Sequence, residues 1–197
     1  MGKLFGTDGI RGVVGENLTA DLAFRVGQAV GTVLMEEKKG EHPTVVLGMD
    51  TRISSDMLEA SLIAGLCSVG SDVKPVGDIP TPAVAYLTRQ EKADAGIVVS
   101  ASHNPYEHNG IKVFNGQGYK LSDALEDRVE EKIFSSEPMA LKTRGELGRR
   151  HHGMKQLKRD YIDFAASTIE SDLAGLRILV DCANGAASAT APELFGR

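Results

Sequence analysis

The chain has 197 residues, 42% of them hydrophobic and 25% charged, with a net charge of −5; this is room for one good-sized domain and part of another in an ordinary soluble chain. The acidic balance and the lack of a basic stripe or aromatic-basic patch argue against a nucleic-acid partner. No apolar run is long enough to span a bilayer, and Met1-Gly2-Lys3-Leu4-Phe5 lacks the apolar core of a signal peptide, so no membrane association and a cytoplasmic location are expected.

In chain order, the first notable stretch is Phe5-Gly6-Thr7-Asp8-Gly9-Ile10-Arg11-Gly12. Its glycines can bring backbone N–H groups close to an anion, and Arg11 offers a planar fork suited to phosphate. It is neither G-x-G-x-x-G nor a nucleotide P-loop, so a plain structural turn stays open. Gly2 invites a myristoylation reading, but Thr7 falls one place too late for it. Leu22, Val26, Ala29, Val30, Val33 and Leu34 then share one helix face, with Thr19 as N-cap. Thr44 to Met49 reads as a buried strand. Leu58, Leu62, Leu66 and Val69 form the next helical stripe, capped by Ser55 and closed by Gly70. Asp72 to Val76 reads as a strand, and Thr81-Pro82 opens a helix to about Leu87 with proline first.

Ala95 to Val99 and Ile111 to Phe114 read as two strands joined antiparallel by the loop Ser100 to Gly110, with Asn109-Gly110 as a turn. Leu125, Val129 and Ile133 mark a helix capped by Ser122. Pro138 to Gly153 is polar, basic and glycine-punctuated, which suggests a linker or exposed ribbon. Leu157, Tyr161, Phe164 and Thr168 suggest a further helix, Arg177 to Asp181 a strand, Asn184-Gly185 a turn, and Ser188 to Phe195 the start of a helix. The expected fold is α/β: a three-layer α/β/α domain with a mixed sheet over residues 1–150, then the incomplete start of a second similar domain over 151–197. Cys67 and Cys182, the only cysteines, read as small buried hydrophobes rather than a disulfide or zinc pair. His108, His151 and His152 form no recognisable metal set and read as solvated.

The stretch richest in chemistry is Ser100-Ala101-Ser102-His103-Asn104-Pro105, followed by Asn109-Gly110-Ile111-Lys112. It starts where a buried strand ends, which is where α/β folds expose reactive groups. A serine that accepts a phosphoryl group needs positive charge or N–H donors around the phosphate, a metal, and a fixed position. This loop can supply the first and the third. A turn serine beside a backbone-bonded histidine is the bland alternative. A Ser-His hydrolase pair is disfavoured: neighbours on an extended loop point apart, and no G-x-S-x-G elbow is present. Asp50-Thr51-Arg52 and Asp181-Cys182-Ala183-Asn184-Gly185 follow strands and could face a cleft, but read as structural turns.

Taken together, the two motifs resemble one family. Ser100 to Pro105 resembles the phosphoserine signature of the α-D-phosphohexomutase superfamily, and Phe5 to Gly12 resembles the opening of its bacterial phosphoglucosamine mutase branch. Asn109-Gly110-Ile111-Lys112 matches the pattern downstream of the serine. The resemblance implies the interconversion of glucosamine 6-phosphate and glucosamine 1-phosphate, an isomerase step in cell-wall precursor synthesis, through a phosphoserine and a bisphosphorylated sugar. Ser102 would carry the phosphoryl group, Lys112 would move the proton of the sugar hydroxyl, and His103 would stabilise charge. Arg11 and Thr7 would contact the phosphate, and Asn104 would orient the loop. One Mg²⁺ would be held by the Ser102 phosphate together with aspartates that the resemblance puts beyond residue 197. The sugar-recognition loop and a phosphate clamp would lie there too, so this stretch alone is expected to be inactive. Glucosamine or glucose 1,6-bisphosphate would serve as activator, and a homodimer is compatible with the resemblance. A mannose- or glucose-phosphate mutase of the same family, or a non-catalytic sugar-phosphate-binding module, stays open.

Overall fold

The computed structural model describes residues 4–39, 41–152, 155–170 and 173–196. Its frame is a five-stranded mixed sheet. The strands are β1 (Ile10–Val13), β2 (Thr44–Met49), β3 (Asp72–Asp78), β4 (Ala95–Val99) and β5 (His108–Asn115), in the spatial order β1-β5-β4-β2-β3. β2 runs parallel to both β3 and β4, whereas β5 is antiparallel to β4 and β1. Helices cover both faces, as an α/β reading requires: α1 (Ala20–Glu37), α2 (Ser55–Ser68), α3 (Thr81–Gln90), α4 (Asp123–Phe134) and α5 (Lys155–Ser167), with a short α6 (Ala191–Phe195) at the end. No helix among the described residues is long and apolar enough to cross a membrane.

Strand alternation decides which helix goes where. Val45 and Leu47 of β2, Ile97 of β4 and Ile111 and Val113 of β5 face one side, where they pack with Val26, Val30, Leu58, Leu62, Val129 and Ile133 of α1, α2 and α4. Val46 and Val98 face the other side and meet Ala83, Val84 and Leu87 of α3 and Leu157 of α5. Each such large side chain removed from water contributes roughly 1.5–3 kcal/mol before the entropy of ordering it is subtracted. On the first face α1 and α2 approach backbone to backbone. A Cβ on Gly65 would lie 2.1 Å from the Phe24 carbonyl oxygen, and one on Gly27 would lie 2.5 Å from that of Leu62.

Two expected caps hold. The Thr19 hydroxyl accepts from the Leu22 N–H, and Ser122 accepts from Leu125. A third does not: Ser55 is the first residue inside α2, and its hydroxyl donates to Asp50 instead. Pro82 is the second residue of α3, after Thr81, with Pro80 at the N-cap position. Asn109 and Gly110 are not a turn but the second and third residues of β5, because pairing with β1 extends that strand backwards. The polar stretch after α4 is an exposed ribbon that follows the free edge of the sheet. The Val73 N–H donates to the Arg149 carbonyl, and the His151 N–H donates back to Val73, so the ribbon protects the edge strand β3.

Residues 177–181 were expected as a strand and form none. Ile178, Leu179 and Val180 are exposed, and a strand requires a hydrogen-bonded neighbour, which the described residues do not provide there. Cys67 and Cys182 are free thiols, each half-buried rather than fully buried. His108 lies half-buried in β5, and His151 reaches to 3.4 Å from Asp72, so neither is simply solvated.

Candidate active site

β2 connects through α2 to its neighbour β3, but β3 connects through α3 to β4 on the far side of β2. The chain therefore winds in opposite directions from β2 and β4. In open α/β sheets the crevice beyond the carboxyl ends of two such strands is where ligands bind. The segments leaving these strand ends are Asp50-Thr51-Arg52 and Ser100 to Pro105. They lie side by side, and the Asp50 N–H donates to the Val99 carbonyl at 2.9 Å. Together they line an open cleft of about 810 Å³ that also includes Ser102, His103, Asn104, Tyr106 and, from the last part of the chain, Ala183 and Asn184. The Thr51 hydroxyl donates to the Asn184 carbonyl across it.

Ser102 is exposed at the tip of this loop, with φ +57°. A non-glycine residue in the left-handed region is strained by about 1–2 kcal/mol, and such strain persists where surrounding contacts impose it. The same backbone corrects the sequence reading of His103. The loop is not extended, so the neighbours do not point apart: Ser102 Oγ and His103 Nδ1 are 3.4 Å from each other. That contact is long and solvent-exposed, which suits charge stabilisation better than a hydrolase base.

The glycine-rich start lies beside this loop, outside the cleft's own lining, and reaches it through Arg11. Gly6 and Gly9 exchange backbone hydrogen bonds at 3.1 Å each, with Thr7 and Asp8 at the exposed tip. Gly9 has φ +83°, and a Cβ there would lie 2.4 Å from the Ile111 carbonyl oxygen, so only glycine suits this close approach. Arg11 in β1 pairs with Gly110 of β5, two residues before Lys112 and therefore on the same face of that strand. Lys112 Nζ and Arg11 Nη2 lie 3.5 and 3.6 Å from the two oxygens of Asp8. Arg11 Nη1 donates to Asn104 Oδ1 at 3.4 Å, and Arg11 Nε is buried without a partner. Thr7 and Lys112 line a smaller hollow with Thr81 and Glu126. The structure thus links Arg11 to the loop through Asn104, and Lys112 to Arg11 through Asp8. Ser102, His103 and Asn104 open on one cleft, Thr7 and Lys112 on the hollow beside β5.

Sequence reasoning allowed that Asp50-Thr51-Arg52 could face the cleft but left it as a turn, and so missed what Asp50 and Arg52 do. The Arg52 guanidinium donates to the carbonyls of Ser102 (3.0 Å), Asn104 (2.9 Å), Pro105 (2.6 Å) and His108 (3.0 Å) and, through Nε, to Asp50 Oδ2 (3.0 Å). Asp50 is nearly buried and also accepts from the hydroxyls of Ser55 at 3.0 Å and Ser100 at 2.7 Å. The signal that would have found them is their place at the end of β2 beside the end of β4, which depends on strand order.

Among the described residues no group of three or more His, Cys, Asp or Glu is placed to hold a metal ion. The one carboxylate lining the cleft with Ser102 is Asp50, which Arg52, Ser55 and Ser100 already engage, so the residues present do not make a ligand set for a free Mg²⁺.

A family model described as phosphoglucomutase/phosphomannomutase, alpha/beta/alpha domain I, matches residues 2–139. The phosphoglucosamine mutase of Acetivibrio thermocellus is 58% identical over 196 residues, covering 99% of this chain and 43% of the relative. That of Caldanaerobacter subterraneus is 57% identical over the same span and the same shares. The chain therefore spans less than half the length of these curated relatives. Among solved structures, a phosphoglucomutase/phosphomannomutase family protein from Burkholderia thailandensis superposes with a TM-score of 0.79 at 28% identity, covering 98% of this chain and 42% of the other. A phosphoglucomutase, parafusin, from Paramecium gives 0.69 at 20% identity over 99% of this chain and 41% of the other, a likeness of fold alone.

Proposed function

The chain belongs to the phosphoglucomutase/phosphomannomutase family, whose domain I it matches, and from this premise we propose that it carries the phosphoryl-transferring serine, Ser102, of a phosphoglucosamine mutase. The observation that carries the reading is Ser102 itself: a strained, exposed hydroxyl at the crevice between oppositely winding strands, with Arg11 linked to its loop and Lys112 linked to Arg11. The identity of the relatives named phosphoglucosamine mutase supports the choice of substrate over mannose or glucose phosphates.

In this reading phosphorylated Ser102 is the donor. A sugar hydroxyl oxygen bonds to phosphorus, the bond from phosphorus to Ser102 Oγ breaks, and the proton lost by the sugar is balanced by the one Oγ gains. Lys112 handles the sugar proton, and His103 stabilises charge beside Oγ. Arg11, whose Nη groups hold only long contacts to Asn104 and Asp8, and Thr7 receive the phosphate, while Asn104 fixes the loop against Arg11. The reverse transfer, from the other oxygen of the bisphosphorylated sugar, restores the phosphoserine and releases the isomer. Phosphoryl transfer depends mostly on positioning and electrostatics, and these residues supply both. An Mg²⁺ ion would find only the phosphate oxygens of Ser102 on this stretch; the remaining ligands are proposed to lie outside it, as is the sugar-recognition loop. Residues 1–150 are proposed as the serine-bearing domain and 151–197 as the start of the next, in a cytoplasmic enzyme of amino-sugar nucleotide and cell-wall precursor synthesis.

The test uses the full-length protein incubated with glucose 1,6-bisphosphate. Intact-mass spectrometry is expected to find one added phosphate group, absent from Ser102→Ala, and glucosamine 6-phosphate is expected to turn over faster than mannose or glucose phosphates. No added phosphate would sink the mutase reading; clear preference for mannose phosphate would sink the substrate assignment alone.

A further inference from the structure

Two arginines stand at this site, and their hydrogen bonding sets them apart. An arginine has five N–H donors in a rigid fork. Arg52 uses all of them inside the protein: Nε on Asp50, Nη1 on the carbonyls of Pro105 and His108, and Nη2 on those of Ser102 and Asn104. Arg11 makes one long bond to Asn104 and a 3.6 Å ion pair with Asp8, which leaves Nη donors unused, and its buried Nε has no partner. A phosphate oxygen needs an unused donor, so Arg11 can bind one and Arg52 cannot without breaking the loop apart.

We infer that Arg52 is the positioning residue of the phosphoryl-carrying loop, acting with Asp50 to hold Ser102 in its left-handed conformation while making no contact with phosphate or sugar; this rests on the proposed role of Ser102. Four carbonyls within seven residues converge on one guanidinium, a pattern that regular secondary structure cannot satisfy and that requires the loop to curl around a cation. Asp50 orients the fork from behind. Its Oδ2 also accepts from the Ser100 hydroxyl, whose oxygen in turn accepts the Ser102 N–H at 3.1 Å. Ser102 is thus held at its carbonyl by Arg52 and at its N–H by the chain that ends on Asp50. Its side chain, which would carry phosphorus, keeps just the long contact to His103. A lysine would keep the charge but offers three donors from one point, which cannot reach four carbonyls and a carboxylate together.

The test compares full-length wild type, Arg52→Lys, Arg52→Ala and Asp50→Asn. Hydrogen exchange of the amides in 101–108 is expected to rise at least about tenfold in all three variants, while amides of β2 and β4 keep their protection. With glucosamine 6-phosphate, kcat is expected to fall about 10²-fold, the usual effect of a misplacement near 1 Å, with KM within about twofold of wild type because no substrate contact is lost. Added guanidinium is expected to restore kcat and loop protection to Arg52→Ala, whereas ethylammonium is not. Unchanged loop exchange, or a loss confined to KM, overturns the inference, since either means that Arg52 binds substrate or does nothing for the loop. Should Arg52→Ala fail to fold, Arg52→Lys decides by the same exchange and kcat readings. If the wild type takes no phosphate, the proposed function falls by itself, and the exchange measurement still judges Arg52.

Discussion

At the scale of single residues, the group that would react sits on strained backbone, as does Ala183 in the same cleft. Ser102 is held in the left-handed region by hydrogen bonds on both sides of it. Any L-residue with a Cβ experiences the same backbone penalty there, and glycine does not. Replacing Ser102 with alanine should leave the strain in place, while Ser102→Gly should relieve it. We expect Ser102→Gly to be more stable than Ser102→Ala by about 1 kcal/mol in urea unfolding, although both lose the phosphate-accepting oxygen. The opposite order would mean that the loop does not hold this conformation. Residue identity made Ser102, His103, Asn104, Arg11 and Lys112 legible as candidates in the sequence, because hydroxyl, cation and amide cluster in a few short stretches. It could not do the same for Arg52. An arginine on a turn looks identical whether it faces water or four carbonyls, and the difference is made by a loop about 50 residues later in the chain.

At the scale of elements, the helices were readable because each needs only its own periodicity and cap. Thr19 and Ser122 cap as expected. The buried strands β2 and β4 were readable too, from their apolar runs, but what a distant partner decides was not: β5 starts three residues early because β1 pairs with it, and residues 177–181 stay irregular for want of an adjacent strand. The α1–α2 contact is a further case. Gly27 and Gly65 look like weak points in two helical stripes, since glycine costs about 1 kcal/mol against alanine in a helix interior. Here they let the two backbones meet. Gly65→Ala improves local propensity but drives a methyl to 2.1 Å from the Phe24 carbonyl, so α1 and α2 must separate along their shared core. Overpacking of this kind costs about 1–3 kcal/mol. We therefore expect Gly65→Ala to lower the urea midpoint despite the better helix former, whereas an exposed alanine site such as Ala60 should respond to substitution only through propensity. A midpoint unchanged by Gly65→Ala would show that the helices can part without loss.

At the scale of the whole molecule, the carboxyl ends of β2 and β3 and the start of α2 bring several acids together. Glu59 has its pKa raised, chiefly by burial; Arg150 of the edge ribbon opposes the shift, while Asp56 and Asp78 add to it. Asp78 is likewise raised, again chiefly by burial, with Lys158 of α5 opposing and Asp56 and Asp50 adding. Glu59 Oε1 is buried with no hydrogen-bond partner. A raised pKa in the fold means that folding disfavours the carboxylate. Below the ordinary value of 4.5 the acid is neutral whether folded or unfolded, and it carries no electrostatic penalty. As pH climbs from there through the higher folded pKa, the folded state ionises less readily than the unfolded chain, and this share of stability is lost. The net charge of −5 gives no general relief at neutral pH, so the cations of the ribbon and α5, Arg150 and Lys158, are the local compensation. Glu59→Gln keeps the shape and removes the charge. It should raise the melting temperature at pH 7 by roughly 2–4 °C, equivalent to about 1 kcal/mol for a chain of this size, and the gain should vanish at pH 4. Differential scanning fluorimetry across that range distinguishes this from simple repacking, which would shift both temperatures alike. Arg150→Gln should act in the opposite sense, lowering stability at pH 7 more than at pH 4, because it withdraws the positive charge that makes ionised Glu59 tolerable. Through that pair the exposed ribbon, which closes the edge of the sheet, contributes to stability mainly when the acids beneath it are charged.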